Sequence, residues 1–82
     1  MTALTVPASF WMDHADRFAG PPDLCTVRSL RDRYARIECT PEQLAFLKAD
    51  ATHYADPDAT DCAAWLRKAA SFTLFAINTV EG

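Results

Sequence analysis

The sequence predicts an α+β domain in which a small sheet of two or three strands is covered by helices. Three observations carry this prediction. Residues 34–39 alternate apolar and polar side chains, as a half-buried strand does. Two later segments repeat apolar residues with the helical period. Thr40 and Pro41 form a start signal at the first of those segments. Because 82 residues enclose only one core, residues 1–82 are expected to be a single globular domain.

The N-terminal segment predicts a short strand and then a short helix. Residues 4–6 favour a strand, which Pro7 ends. From Ser9 the apolar side chains recur with helical spacing, and Gly20 with the two prolines after it ends the helix. The face expected to point inward carries Phe10, Trp11, His14, Ala15 and Phe18.

Residues 34–39 predict the clearest strand, with Ala35, Ile37 and Cys39 on one face. Residues 26–30 are expected to pair with it through a turn at residues 31–33. Since that turn lacks the Asn-Gly or glycine-containing signal of a tight hairpin, one bent strand is the alternative.

The C-terminal half predicts two antiparallel helices. Thr40, Pro41 and Gln43 form a capping box at the start of the first, which is expected to reach about Tyr54. Asp58 is expected to cap the second, which extends to about Thr79 through residues 71–77 despite their strand-forming composition. The predicted inward face of this last helix consists of Cys62, Trp65, Leu66, Ala69, Phe72, Ala76, Ile77 and Val80.

Three cysteines, Cys25, Cys39 and Cys62, are an odd number without C-x-x-C spacing. A secreted disulfide scaffold is denser in cysteine and usually even in count, so all three are expected to be reduced thiols. Together with the lack of a signal-peptide pattern and of a long apolar run, this predicts a cytoplasmic protein that does not bind membranes.

No residue cluster predicts catalysis or metal binding. On a helix, Asp13 and Asp16 project away from the face that carries His14, so His14 is expected to be a hydrogen-bonded structural residue. The cysteines and histidines lack the close pairs of a zinc site, and no nucleophile–base pair is evident. The sequence therefore predicts a protein that is not an enzyme and holds no cofactor or metal.

The arginines are unevenly placed. Half of the eight basic side chains lie within nine residues, beside Tyr34: Arg28, Arg31, Arg33 and Arg36. Arginine and tyrosine on strands contact phosphates and stack on bases, which points to nucleic acid. The alternative is that these arginines are solvated or pair with Asp32, Glu38 and the acidic helix ends, and the net charge of −3 favours it.

Two phenylalanines lie outside the predicted apolar faces of their helices. Phe46 is off the centre of its own face, and Phe75 lies beside Leu74 outside the main stripe of the last helix. Surplus aromatic side chains on a small domain indicate a contact surface, and a third buried face is the alternative. Phe46 and Phe75 are therefore candidate partner-binding residues, together with the arginine stretch and Tyr34.

The run TVPASFWMDHADR, the arginine-rich strand and the capped helix ending in HYADP are similar to short uncharacterised proteins encoded in bacterial and phage genomes. In size and charge the chain also resembles phage-encoded inhibitors such as anti-CRISPR proteins, and no functional residue is carried over from them. The resemblance implies an accessory protein or inhibitor whose partner is a larger host or phage protein complex.

The function expected from these observations is non-enzymatic, stoichiometric binding of a larger macromolecular partner. The alternative is binding of nucleic acid through residues 28–36. A homodimer is also left open, because a domain of this size often gains stability from its own copy.

Overall fold

The computed structural model describes residues 1–17, 25–58 and 63–81. Its elements confirm the α+β class and a three-stranded sheet, with a short N-terminal helix and two C-terminal helices. In chain order they are β1 (Thr2–Pro7), α1 (Ala8–Arg17), β2 (Thr26–Leu30), β3 (Tyr34–Cys39), α2 (Pro41–Ala55) and α3 (Ala64–Glu81).

The strands lie in the order β1-β3-β2, and β3 is antiparallel to both neighbours. β1 and β2 therefore run parallel with β3 between them, which is a split β-α-β arrangement. The hairpin forms rather than the bent strand: the Arg31 N–H donates to the Tyr34 carbonyl at 2.9 Å across the turn. The β2–β3 register shifts between Val27 and Ser29, so Arg28 lies at a bulge.

Among the described residues, the core lies on one face of the sheet. The alternation predicted for β3 is confirmed, since Ala35, Ile37 and Cys39 are buried with Leu4 and Val6 of β1 in the core. The side chains that point the other way are exposed on both strands, among them Ala3, Thr5 and Arg36. All three helices contribute to the same core, so they lie on the side of Ile37.

β2 is an outlying edge strand. All five of its residues are exposed. α3 packs on β1 and α2, while α1 contacts β1, β3 and α3, and none of the helices packs extensively on β2. β2 is therefore held mainly by β3.

The capping box predicted at the start of α2 is confirmed. The Gln43 N–H donates to the Thr40 hydroxyl at 3.2 Å, and the Thr40 N–H donates to the Gln43 side-chain oxygen at 2.9 Å. α2 and α3 pack together as the expected helical pair, and Lys48 of α2 forms an ion pair with Glu81 at 2.7 Å. Phe18 and Gly20, assigned to α1 and its end from the sequence, lie outside the described residues.

The predicted start of the last helix is wrong. α3 begins at Ala64, and Asp58 lies instead in a turn where its N–H donates to the Asp56 carboxylate at 2.9 Å. This hydrogen bond to a residue two positions earlier defines an Asx turn. Aspartate side chains form such turns as well as helix N-caps, and here the turn forms instead of the cap. Residues 71–77 are helical, as predicted.

The buried face of α3 also differs from the prediction. Leu66, Ala69 and Ile77 are buried as expected, but Trp65, Phe72 and Val80 are exposed and Ala70 and Thr73 take their place. At 100° per residue, the centre of the buried face is rotated by about 100° from Trp65. Small side chains let α3 approach its neighbours closely, and the Thr73 hydroxyl is satisfied by donating to the Ala69 carbonyl at 2.9 Å.

The prediction of three reduced cysteines is wrong for two of them. Cys25 and Cys39 form a disulfide, with 4.5 Å between their Cα atoms. The register explains it: Thr26 is opposite Glu38, so the next position outward places Cys25 opposite Cys39. Both cysteines are buried. Cys62 lies outside the described residues.

Candidate functional site

Arg28 pairs with an acidic neighbour across the hairpin. From the bulge of β2, its guanidinium donates to the Glu38 carboxylate of β3 at 2.9 Å. This hydrogen bond, more than the attraction of the charges, lowers the pKa of Glu38 and raises the pKa of Arg28. The pair therefore supports the hairpin above the usual pKa of glutamate and is lost as the pH falls through the lowered pKa of Glu38. Because the pair is open to solvent, its contribution is small.

The other three arginines of the stretch are available to a partner. Arg31, Arg33 and Arg36 are exposed, and in the described part of the chain they form no ion pair. The carbonyl of Arg33 accepts a hydrogen bond from the Ala8 N–H at 2.9 Å, which ties the turn to the start of α1. Among the described residues, Arg31 and Arg33 thus lie at the turn at one end of the sheet, whereas Arg36 lies on the exposed face of the central strand.

Tyr34 connects this basic hairpin to α3. Its ring lies 5.8 Å from the ring of Phe72, centroid to centroid, and the planes are tilted by 44°. Both rings remain more than two-fifths exposed. Offset and tilted aromatic pairs are favourable, so each ring holds the other in place without removing it from solvent.

Phe72 belongs to a row of exposed rings on α3. Trp65 lies two turns before it and Phe75 one turn after it, on the same side of the helix. Trp65 is 53% exposed and Phe75 is 72% exposed. We define the aromatic surface as the three rings of α3 and the ring of β3 that contacts one of them: Trp65, Phe72, Phe75 and Tyr34. The prediction assigned Trp65 and Phe72 to the core and so missed half of it.

Charged groups border the aromatic surface. Lys68 is exposed on α3 between Trp65 and Phe72. Arg33 directly precedes Tyr34, and Arg31 lies across the same turn. An apolar aromatic centre with an arginine-rich rim is the composition that distinguishes protein interfaces from the rest of a protein surface.

Phe46 belongs to a different region. It is 44% exposed on α2, where it lines a shallow apolar depression with Glu42, Ala45 and Ala49. No aromatic contact joins Phe46 to Phe75 among the described side chains. The two phenylalanines that the sequence proposed as one contact surface therefore make no ring contact with each other.

His14 forms a buried pair that the sequence did not reveal. Its Nδ1 lies 2.6 Å from an Asp50 carboxylate oxygen on α2, and its ring is fully buried. The rings of Phe10 and Trp11 lie 6.2 Å and 5.8 Å away. The hydrogen bond predicted for His14 is confirmed, and its side chain is fully buried.

The acidic and thiol groups do not assemble into a metal site within residues 1–17, 25–58 and 63–81. In the same residues, no helix combines the length and apolar character that crossing a membrane requires.

Comparison with protein-family models, with curated proteins and with solved structures found no match to this chain. The resemblance to phage accessory proteins and to anti-CRISPR inhibitors stays a prediction.

Proposed function

We propose that the protein is a non-enzymatic binding module that docks on a larger protein through the aromatic surface. The observation that carries this proposal is the exposure of four aromatic rings, Tyr34, Trp65, Phe72 and Phe75, on one small domain. Leaving such rings in water forgoes the stabilisation that burial would give, so a docking partner that covers them gains binding free energy.

The charges around these rings support a protein partner with acidic groups at its rim. Arg31, Arg33 and Lys68 are exposed beside the rings, although the chain as a whole carries a net charge of −3. Rim charges of this kind speed association and select orientation more than they add affinity. The partner we expect therefore presents an apolar pocket bordered by aspartate or glutamate.

Stoichiometric binding without turnover is part of the proposal. It is supported by the burial of His14, the one described histidine with a carboxylate partner, inside the core.

The disulfide bears on where the protein acts, because persistent disulfides are typical of oxidising compartments and rare in the cytosol. The cytoplasmic location expected from the sequence stays a prediction, and the Cys25–Cys39 bond weighs against it.

Phe75 provides the most direct test. A photo-crosslinking amino acid at position 75, introduced in the native host, should form a covalent adduct with the partner, which mass spectrometry identifies. With that partner purified, we expect Phe75→Ala to weaken binding by about 2 kcal/mol, the loss typical of an anchor residue. Thermal unfolding should change little, because Phe75 is 72% exposed.

Phe46→Ala is the matched control, since it removes a second exposed phenylalanine from a helix face outside the aromatic surface. We expect it to leave the affinity for the crosslinked partner within about a factor of two, as a position outside the interface does. Equal losses for Phe46→Ala and Phe75→Ala, or an undiminished affinity for Phe75→Ala, would contradict the proposal.

Nucleic acid is the second candidate partner. The observation in its favour is the exposure of Arg31, Arg33 and Arg36 beside Tyr34. Two observations disfavour it: Arg28 is paired with Glu38, and the outward residues Ala3 and Thr5 of β1 offer no ring for a base to stack on. We therefore rank it below protein docking.

Oligonucleotide titration separates the two candidates. Labelled single- and double-stranded oligonucleotides at low salt should show no micromolar binding, measured by fluorescence anisotropy. If the three free arginines contact phosphates, binding should instead weaken with salt with a log–log slope of about −2 for a single strand. Micromolar affinity with that slope, abolished by Arg31→Ala together with Arg33→Ala, would reverse the ranking.

A further inference from the structure

In the part of the chain that the structure describes, no strand pairs with β2 on the side away from β3. In an antiparallel ladder, hydrogen-bonded pairs alternate with non-hydrogen-bonded pairs. The Arg31 N–H donates to the Tyr34 carbonyl, so the adjacent pair, Leu30 with Ala35, is of the non-hydrogen-bonded kind. The N–H and carbonyl of Leu30 therefore point away from β3, toward the open edge.

The side chains of this edge are equally accessible. Val27 lies opposite Ile37 and Leu30 lies opposite Ala35, so both side chains are on the same face of the sheet as the core. At β2 this face is not covered: Val27 is 38% exposed and Leu30 is 54% exposed. A strand laid along β2 would cover both of them. Exposed edge strands with apolar side chains are the surfaces to which extended segments add.

The positive charge of the hairpin favours an acidic segment as the added strand. The hairpin of residues 26–39 contains four arginines against two acidic residues, Asp32 and Glu38, and only Arg28 is paired with Glu38. A second copy of this chain, joined through β2, would bring two such basic hairpins together. Like charges at cross-strand positions are destabilising, whereas opposite charges are favourable.

We propose that β2 binds an extended acidic segment of a partner protein by strand addition. The segment hydrogen-bonds to the backbone of Leu30 at the open edge, its apolar side chains cover Val27 and Leu30, and its carboxylates face Arg31 and the neighbouring arginines. This surface lies on the hairpin edge and contains no ring of α3, although Arg31 and Arg33 also border the aromatic surface.

The test uses the oxidised protein and a fluorescein-labelled peptide of about eight residues, long enough for one strand, that alternates glutamate and valine. Fluorescence anisotropy should show saturable binding of this peptide. A peptide of the same length that alternates lysine and valine should bind at least about tenfold more weakly, because its charges are repelled by the arginines. Equal affinity of the two peptides would overturn the proposal.

Leu30→Pro removes the outward N–H without removing a hydrogen bond to β3, since proline is tolerated at such edge positions. We expect it to weaken binding of the glutamate peptide by about tenfold relative to Leu30→Ala, the equivalent of one hydrogen bond. Leu30→Ala keeps the N–H and trims the same side chain, so it controls for lost apolar contact. Equal affinity of the two variants would show that the peptide does not add as a strand.

Two further experiments test the role of the arginines and the oligomeric state of the protein. Arg31→Glu with Arg33→Glu should abolish binding of the glutamate peptide. Sedimentation of the free protein should show a monomer, and a dimer disrupted by Leu30→Pro but not by Leu30→Ala would make a second copy the occupant and overturn the proposal. Because Phe75 is outside this edge, Phe75→Ala should leave peptide binding unchanged, so this proposal and protein docking fail separately.

Discussion

Reducing the Cys25–Cys39 disulfide should destabilise the domain by about 3 kcal/mol, the entropy that closing a loop of roughly fifteen residues removes from the unfolded chain. For a domain of this size, such a loss lowers the melting temperature by roughly 12–24 °C. Thermal unfolding followed by circular dichroism, with and without dithiothreitol, measures the shift. Replacing both cysteines by alanine should reproduce it.

The loss should be greatest in β2, because this strand is held mainly by β3 and the disulfide, and no helix of the described residues packs extensively on it. Amide hydrogen exchange should accelerate at Thr26–Leu30 more than in α2 on reduction. Cys62→Ala is the control: it removes the third thiol and leaves the Cys25–Cys39 bond intact. If the oxidised and reduced proteins melt at the same temperature, the disulfide does not hold the hairpin.

The sequence contained the information for this disulfide. Strands at residues 26–30 and 34–39, joined by a turn at residues 31–33, already place position 25 near position 39. The odd number of cysteines led instead to the prediction of reduced thiols. A count describes the whole chain, however, and does not show whether two particular cysteines lie close together. A geometric consequence of the predicted hairpin was therefore more informative than the count.

Local signals predicted the elements well. The capping box at Thr40 and Gln43 acts within four residues, and the alternation of residues 34–39 reports directly which side is buried, so both are confirmed in the structure. Asp58 was assigned wrongly because residue identity alone does not distinguish an aspartate that caps a helix from one that lies in an Asx turn.

The face of α3 depends on what it packs against, which the sequence does not show. Hydrophobicity favoured Trp65 and Phe72 as inward residues, and the structure buries Ala70 and Thr73 instead. Small side chains allow close approach to β1 and α2, a benefit of packing that a scale of residue hydrophobicity does not contain. The aromatic surface could not be predicted for the same reason.

The His14–Asp50 pair is the second feature that only the tertiary structure reveals, and Asp50→Ala should be strongly destabilising. The two residues are 36 positions apart and join α1 to α2 across the core, at 2.6 Å. Removing the carboxylate deprives the buried His14 ring of this hydrogen bond, which should cost about 3 kcal/mol in the free energy of unfolding.

Urea denaturation of the purified variants measures this cost. Asp16→Ala is the matched control, because it removes an exposed aspartate from α1 and should change stability by no more than about 0.5 kcal/mol. A double-mutant cycle with His14→Ala isolates the contribution of the pair from the cavities that each substitution creates. We expect a coupling of more than about 1 kcal/mol, as for a buried charge-assisted hydrogen bond. Strictly additive effects would show that His14 and Asp50 stabilise the core independently, and that α1 and α2 are joined by apolar packing alone.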